Sequence, residues 1–126
     1  MKYTKKYTDV NNKKMAYVDE GSGETFLFLH GNPTSSFLWR NIAPHVEDLG
    51  RIVMPDLIGM GDSEKLEGVD NPEYKYHGQY GYLTSLIDEL NLGDNIHLII
   101  HDWGSAMGLQ FARENPNRIK SITYME

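Results

Sequence analysis

The chemically most informative residues form the run Ile100-His101-Asp102-Trp103-Gly104. An apolar, strand-like segment runs directly into Asp102, and the small residues that follow favour a helix packed close to the strand. A side chain at such a sharp corner is presented outward and can act as a nucleophile. The general form of the corner is Gly-x-Ser-x-Gly, so Ile100 and Asp102 depart from it at two positions. The alternative interpretation is that Asp102 only caps the following helix, a role that Asp favours.

A carboxylate at this corner predicts a different reaction from a serine. A serine must lose its proton as it attacks an acyl carbon, whereas a carboxylate is already ionised at neutral pH. Asp102 can displace a leaving group from a saturated carbon, which produces an alkyl ester that water must then hydrolyse. The positive end of the following helix favours the charged carboxylate. The first N–H groups of that helix can hold the oxyanion during ester hydrolysis.

Two neutral hydrogen-bond donors are expected near Asp102. They are the indole N–H of Trp103 and the side-chain amide of Asn32, in the loop after a neighbouring apolar strand. A departing halide is a weak base that needs only such donors, whereas an opening epoxide leaves as an alkoxide and needs an acid such as Tyr. The pair therefore favours halide as the leaving group. Each residue also has a purely structural interpretation, Trp103 as core packing and Asn32 as a turn residue.

The elements that must position these residues alternate between strand and helix. Short apolar runs typical of strands buried on both faces lie at residues 26–29, 52–54, 96–100 and 119–125. Helical patterns lie between the later runs, one with an apolar face at Leu83, Leu86, Ile87 and Leu90 and an end at Asn91 and Gly93, the other at residues 105–114. This order predicts an α/β fold with a mostly parallel, doubly wound sheet. Residues 2–10 and 15–20, joined by a turn at Asn11-Asn12, add antiparallel front strands.

Four polar segments follow the predicted strands, namely residues 30–33, residues 56–63, residues 101–104 and Glu126. Sites in open α/β sheets lie outside the carboxyl ends of the strands. We therefore expect the four segments to converge. The glycine-containing loop 59–63 lacks the Lys and the strand–helix placement of a phosphate cradle, so we interpret it as a turn at the rim of the site.

Composition narrows the class of protein further. The 126 residues contain no Cys and carry a net charge of −6, which excludes disulfides and thiolate metal sites and argues against nucleic acid as a partner. The basic residues at 2–6 and 13–14 are interpreted as a solvated edge-strand face. No apolar run approaches the ~20 residues of a membrane span, and the polar first residues lead us to expect no secretory signal. We expect a cytoplasmic protein that uses no metal or organic cofactor.

Taken together, the motifs resemble the haloalkane dehalogenases of the α/β-hydrolase superfamily. The resemblance rests on His-Gly-Asn-Pro-Thr-Ser-Ser at 30–36, Asp-Leu-Ile-Gly-Met-Gly-Asp-Ser at 56–63 and His-Asp-Trp-Gly-Ser-Ala at 101–106, and it runs through essentially the whole chain. It implies conversion of a small haloalkane and water into an alcohol and a halide ion. It also implies that Asp102 is the nucleophile, that the side chains of Asn32 and Trp103 bind halide, and that their backbone N–H groups form the oxyanion hole. One subgroup places its catalytic acid after the sixth strand in a Met-Glu context, which implies that role for Glu126.

The family also uses a His near its carboxyl terminus as the base for ester hydrolysis, oriented by the acid. We interpret none of the histidines here as that base: His30 and His101 are assigned structural roles, and His45, His77 and His97 surface or satisfied positions. The sequence therefore predicts that residues 1–126 are the amino-terminal part of an α/β-hydrolase core domain, without the helical cap and the last strands. By itself, such a chain is not expected to turn over.

Three alternatives stay open. An epoxide hydrolase shares the Asp corner, although Asn32 and Glu126 speak against it. A coelenterazine-type luciferase resembles the family in the same segments, although Asn32-Pro33 favours a dehalogenase. The third alternative is a non-catalytic binding fragment that keeps the fold without the chemistry.

Overall fold

A single six-stranded sheet organises the chain in the computed structural model, which describes residues 2–126. The strands are β1 (Lys6–Val10), β2 (Lys13–Glu20), β3 (Thr25–Leu29), β4 (Arg51–Pro55), β5 (Ile96–His101) and β6 (Ile119–Met125), in the spatial order β1-β2-β4-β3-β5-β6. β2 pairs antiparallel with β1 and β4, and the remaining pairs are parallel. The predicted mostly parallel α/β sheet with antiparallel front strands is therefore confirmed.

Alternation along the strands divides the core into two faces. In β3, Leu27 and Leu29 belong to the cluster that packs against the two long helices, α1 (Tyr76–Leu90) and α2 (Trp103–Glu114). Phe28, one position away, belongs to the cluster on the other face with Trp39 and residues of β4. A strand that buries side chains on both faces needs a continuous apolar run, which explains the unbroken sequence at 26–29.

The ends of the helices follow from local chain geometry. α1 ends at Leu90, and the next residue, Asn91, adopts the left-handed conformation with φ 51°, in agreement with the predicted end at Asn91 and Gly93. Ser35 caps a short 3₁₀ helix, Ser36–Trp39, where its side-chain oxygen accepts a hydrogen bond from Phe37 N–H. α2 begins at Trp103, two residues before the predicted start, because the chain reverses at Asp102 without an intervening loop.

Two expectations about the strands are wrong. The first strand begins at Lys6, and Lys5 is not a solvated residue of its face: its side chain is 15% exposed and forms an ion pair with the buried Asp56. β6 lies in the predicted place but is largely exposed, with Tyr124 at 72%, because it is the edge strand of the described sheet. An apolar run predicts that a strand forms, but it does not show which other elements pack against that strand.

None of the helices within residues 2–126 has both the length and the apolar character needed to cross a membrane.

Candidate active site at the carboxyl ends of the strands

Asp102 occupies a strained corner between β5 and α2. Its backbone has φ 57° and ψ −125°, a conformation that non-glycine residues rarely adopt. The surrounding main chain holds this geometry: the Asp102 N–H donates to the carbonyl oxygens of Met125 and Glu126, and its own carbonyl accepts from Ser105 N–H at 2.8 Å. The hydroxyl of Ser105 donates to the Met125 carbonyl at 3.0 Å, which ties the first turn of α2 to the end of β6.

The carboxylate of Asp102 is held by backbone amides. Asn32 N–H donates to its Oδ2 at 3.0 Å. This hydrogen bond first, and then the backbone N–H of the adjacent Trp103, hold the pKa of Asp102 below its ordinary value, so the group is ionised at neutral pH. Asp102 is exposed, and no Lys or Arg within residues 2–126 forms an ion pair with it. The negative charge is therefore stabilised while the carboxylate stays accessible to a substrate.

Two glycines permit this close approach of the loop after β3 to the corner. A Cβ atom on Gly31 would overlap the side chain of Asp102, and one on Gly104 would overlap the carbonyl oxygen of Leu29. Both positions therefore require a residue without a side chain. The close approach brings Asn32 N–H and Trp103 N–H, from two different elements, to the same carboxylate.

The side chains of Asn32 and Trp103 line one cavity of about 310 Å³ next to this corner. Within residues 2–126 neither the Asn32 amide nor the Trp103 indole N–H donates a hydrogen bond to protein. The indole packs edge-on against Tyr76, with ring centroids 6.2 Å apart and an interplanar angle of 69°. Two uncharged donors thus share a small cavity beside an ionised carboxylate.

Glu126 lies at the same edge of the sheet, where its carbonyl accepts from Asp102 N–H. Its side chain is exposed and makes no hydrogen bond to residues 2–126. The sequence-predicted residues Asn32, Asp102, Trp103 and Glu126 are therefore brought to one edge, although the Glu126 carboxylate forms no hydrogen bond with the other three.

Within residues 2–126 none of the five histidines forms a hydrogen bond with the Asp102 carboxylate. His30 is fully buried; its Nδ1 donates to the Gly31 carbonyl at 2.7 Å and its Nε2 accepts from Leu57 N–H at 3.0 Å. His97 contacts Glu24 and Ser121, at 2.8 and 2.6 Å. The other three are exposed His45 and His77, and His101, whose buried Nδ1 lacks a partner within residues 2–126.

A second aspartate, Asp56, organises the loops around the site. Its Oδ1 accepts from Ser36 N–H at 2.8 Å, and its Oδ2 accepts from Lys5 Nζ at 2.5 Å and Asp62 N–H at 3.0 Å. Burial alone would raise the pKa of Asp56, but these donors hold it below the ordinary value. The loop 59–63, predicted to be a turn at the rim, is anchored by this carboxylate and contributes Gly59 to the cavity wall.

The sequence gives no signal for the pairing of Lys5 with Asp56 or for the positions of Gln79 and Tyr74 at the cavity. Lys5 and Asp56 are 51 residues apart, so no local pattern joins them. Gln79 and Tyr74 line the cavity from α1 and the segment before it, where apolar periodicity draws attention to other positions.

Within residues 2–126 no three His, Cys, Asp or Glu side chains are grouped so that they could hold a metal ion.

Comparison with known proteins places this arrangement in a family. The alpha/beta hydrolase fold family matches residues 24–126. A haloalkane dehalogenase from Sphingobium indicum is 51% identical over 122 residues, covering 97% of this chain and 41% of that protein. The chain therefore spans about two fifths of the length of this curated relative.

Solved structures give the same picture. The crystal structure of the haloalkane dehalogenase DatA from Agrobacterium tumefaciens superposes with a TM-score of 0.87 at 36% identity, covering 96% of this chain and 40% of that one. The epoxide hydrolase CorEH superposes with a TM-score of 0.83 at 30% identity, covering 98% of this chain and 42% of that one. The chain belongs to the α/β-hydrolase fold family, and among the relatives named here its sequence is most similar to a haloalkane dehalogenase.

Proposed function

We propose that the full-length protein, meaning the complete reading frame that contains these residues, is a haloalkane dehalogenase. One observation carries the proposal: an exposed, ionised Asp102 carboxylate stands beside a small cavity that two uncharged donors line. The 51% identity to a haloalkane dehalogenase supports it. In this proposal residues 1–126 form the amino-terminal part of the core domain, and the corner at Asp102 is a nucleophile elbow.

In the first half of the reaction, an Asp102 carboxylate oxygen attacks the carbon that bears the halogen. A carbon–oxygen bond forms as the carbon–halogen bond breaks, and the halide leaves with the bonding electron pair. The indole N–H of Trp103 and the side-chain amide of Asn32 donate to the departing halide. Neutral donors suit a weak base, since no proton has to be transferred to it.

In the second half, water attacks the carbonyl carbon of the Asp102 ester, and the alcohol leaves. The N–H groups of Asn32 and Trp103, which hold the carboxylate in the resting protein, donate to the oxyanion that forms. The attacking water needs a base, and within residues 2–126 no histidine forms a hydrogen bond with the Asp102 carboxylate. We propose that a His outside residues 1–126 is this base and that Glu126 orients it and stabilises its charged form. The 126-residue chain alone then forms the ester without turning over.

Halide release by the full-length protein on a panel of short haloalkanes and epoxides tests the proposal. Asp102→Asn should abolish release, a loss of at least about 10³-fold by comparison with removal of other nucleophiles. Asp88→Asn, at an exposed position on α1, is the matched control and should retain release. Halide release that persists undiminished in Asp102→Asn would overturn the assignment of the nucleophile.

An epoxide hydrolase is the second candidate, because the structure of CorEH superposes closely on this chain. Both candidates use the same alkyl ester on Asp102 and differ in the group that leaves. Epoxide opening without halide release on the same panel would favour the second candidate. The uncharged donors Asn32 and Trp103 at the cavity favour the first.

A further inference from the structure

The indole nitrogen of Trp103 is accessible to a ligand, but no hydrogen bond to the protein holds it in one direction. Trp103 is half-buried, and it lines the cavity beside Asp102. Within residues 2–126 its Nε1 has no hydrogen-bond partner, and it is not enclosed by protein, whereas Nε1 of Trp39 is enclosed. The direction of the Trp103 N–H therefore depends on the side chains that pack against the indole ring.

Tyr76, the first residue of α1, packs against that ring. The ring centroids are 6.2 Å apart and the planes meet at 69°, the edge-to-face arrangement that aromatic pairs favour. Within residues 2–126 Tyr76 is the one aromatic ring that pairs with the indole. The contact joins the start of α1 to the start of α2, so tertiary structure rather than chain neighbours sets it.

Tyr76 is itself held from two sides. Its hydroxyl donates to Oε1 of Gln110 on α2 at 2.8 Å, and its ring stacks on Tyr80, one turn later on α1, with planes 6° apart. The hydroxyl of Tyr80 donates to Glu114 on α2 at 2.5 Å, and Gln110 Nε2 donates to the same carboxylate at 3.2 Å. Two tyrosines four residues apart on one helix thus meet two polar residues four apart on the other. This network fixes the Tyr76 ring before any ligand is present.

We propose that Tyr76 is a positioning residue that sets the direction of the Trp103 indole N–H and thereby the strength with which the site holds the departing halide. The inference rests on the proposed function for the identity of the anion. Tyr76 acts through Trp103, because its own side chain does not line the cavity. Its ring carries the role, since its hydroxyl donates to Gln110.

Loss of the ring should weaken the halide donor without removing it. An N–H hydrogen bond weakens steeply as its angle departs from linear. Without the Tyr76 ring the indole can turn into the space that the ring filled, and the N–H is then directed at the halide for less of the time. The effect should be on the order of tenfold, smaller than the about 10²-fold loss expected when a donor is removed outright.

The first experiment measures chloride binding and halide release with the full-length protein. Chloride binding is followed by the part of the tryptophan fluorescence quenching that Trp103→Phe abolishes. In Tyr76→Leu the Kd for chloride should rise about tenfold, and kcat/KM for halide release from a bromoalkane should fall by a similar factor. In Tyr76→Phe, which keeps the ring, both quantities should keep their values.

Tyr82→Leu is the matched control for simple destabilisation of α1. Tyr82 lies on the same helix and is 4% exposed, but it belongs to the core cluster with Val10 and Met15, whereas Trp103 packs against the other cluster. The free energy of unfolding should fall in this control at least as far as in Tyr76→Leu, while its Kd for chloride stays unchanged. A Kd that rises equally in both variants, or that is unchanged in Tyr76→Leu, would overturn the role of Tyr76.

The binding measurement also separates this inference from the proposed function, because it needs no substrate. Chloride binding that depends on the Tyr76 ring supports the inference even where no haloalkane is converted. Halide release together with chloride binding that is independent of the ring keeps the proposed function and overturns the inference. Tyr76→Met, which replaces the ring with a flexible side chain, provides the same comparison if Tyr76→Leu does not fold.

Discussion

Two aspartates at the same edge of the sheet show how one side chain serves either structure or chemistry. Asp56 follows β4 and is fully buried, and Lys5, Ser36 and Asp62 all donate to its oxygens. Asp102 follows β5 and is exposed; Asn32 N–H donates to it, and the backbone N–H of Trp103 also stabilises its charge. The pKa of each lies below its ordinary value. The two differ in exposure. The buried Asp56 carboxylate is enclosed by its donors and cannot reach a substrate, whereas the exposed Asp102 carboxylate can.

His30 joins the two aspartate sites. Its Nε2 accepts from the N–H of Leu57, next to Asp56, and its Nδ1 donates to the carbonyl of Gly31, next to the Asn32 that donates to Asp102. Burial lowers the pKa of His30, so the ring stays neutral and can accept on one side while it donates on the other. The buried aspartate and the exposed one are thus connected through a single imidazole.

Of the substitutions considered around Asp102 that keep the carboxylate, the one at Gly31 should reduce activity most. Gly31→Ala introduces a Cβ that overlaps the Asp102 side chain, which displaces both the carboxylate and the Asn32 N–H. We expect kcat/KM for halide release to fall by about 10²- to 10³-fold while the fold is retained, since a misplacement of about 1 Å costs about 10²-fold and the displaced Asn32 N–H is also an oxyanion donor. Circular dichroism checks the fold. Release at the unmodified rate would contradict the close approach of the loop to Asp102.

Trp103→Phe removes one halide donor and leaves the carboxylate in place. The expected loss in rate is about 10²-fold, by comparison with removal of one oxyanion donor, together with weaker product inhibition by chloride. Tyr76→Phe is the matched control: Tyr76 packs on the indole, and its hydroxyl donates to Gln110 rather than to the cavity. Chloride inhibition that is unchanged in Trp103→Phe, or lost equally in Tyr76→Phe, would count against the indole N–H as the donor.

The structural side of the comparison is tested by Asp56→Asn. The substitution leaves the Lys5 ammonium, with a side chain 15% exposed, without its buried partner. We expect the free energy of unfolding in urea to fall by about 3 kcal/mol, as for other broken buried ion pairs. Lys2→Met, which breaks the more exposed pair with Glu47, should cost less than about 1 kcal/mol. The folded fraction of Asp56→Asn should still release halide, unlike Asp102→Asn.

Lowering the pH should remove the stabilising contributions of His30 and Asp56 to the folded state, that of His30 first. A lowered folded-state pKa means that the unfolded chain binds the proton more readily, so stability is lost as pH falls. The contribution of His30 is complete above its ordinary pKa of 6.5 and declines below it; that of Asp56 declines only below 3.8. In His30→Asn, the decline of unfolding free energy between about pH 8 and about pH 5 should be smaller by on the order of 1 kcal/mol. An identical decline in both proteins would contradict a neutral, buried His30.

The sequence was sufficient for features that local pattern determines. Continuous apolar runs predicted β3, β4 and β5, and the carboxyl-edge rule brought Asn32, Asp102 and Trp103 to one edge. Nothing local revealed that Lys5 would reach Asp56, because a lysine in a basic segment has the same pattern whether it is solvated or paired. Gln79 was missed for a related reason. A polar residue on the apolar face of a helix becomes informative only when its neighbours are known.

The exposure of β6 marks another limit of sequence reasoning. Its sequence resembles that of a buried strand, and the strand pairs with β5 in parallel, with one irregularity in register between Ile96 and His97. Burial depends on what packs against a strand rather than on the strand itself. The roles proposed for Glu126 and for a base from elsewhere likewise depend on groups that the 126 residues do not contain.

The corner at Asp102 also has a consequence for how new activities arise. Its shape is maintained by main-chain bonds to Met125, Glu126 and Ser105, in which the residue's own side chain takes no part. A substitution at this position therefore changes the reacting side chain, while the main-chain hydrogen bonds that hold the corner are retained. Lineages that carry such a corner can diversify their chemistry in few mutational steps, and selection then acts chiefly on the anion donors and the pocket wall around it.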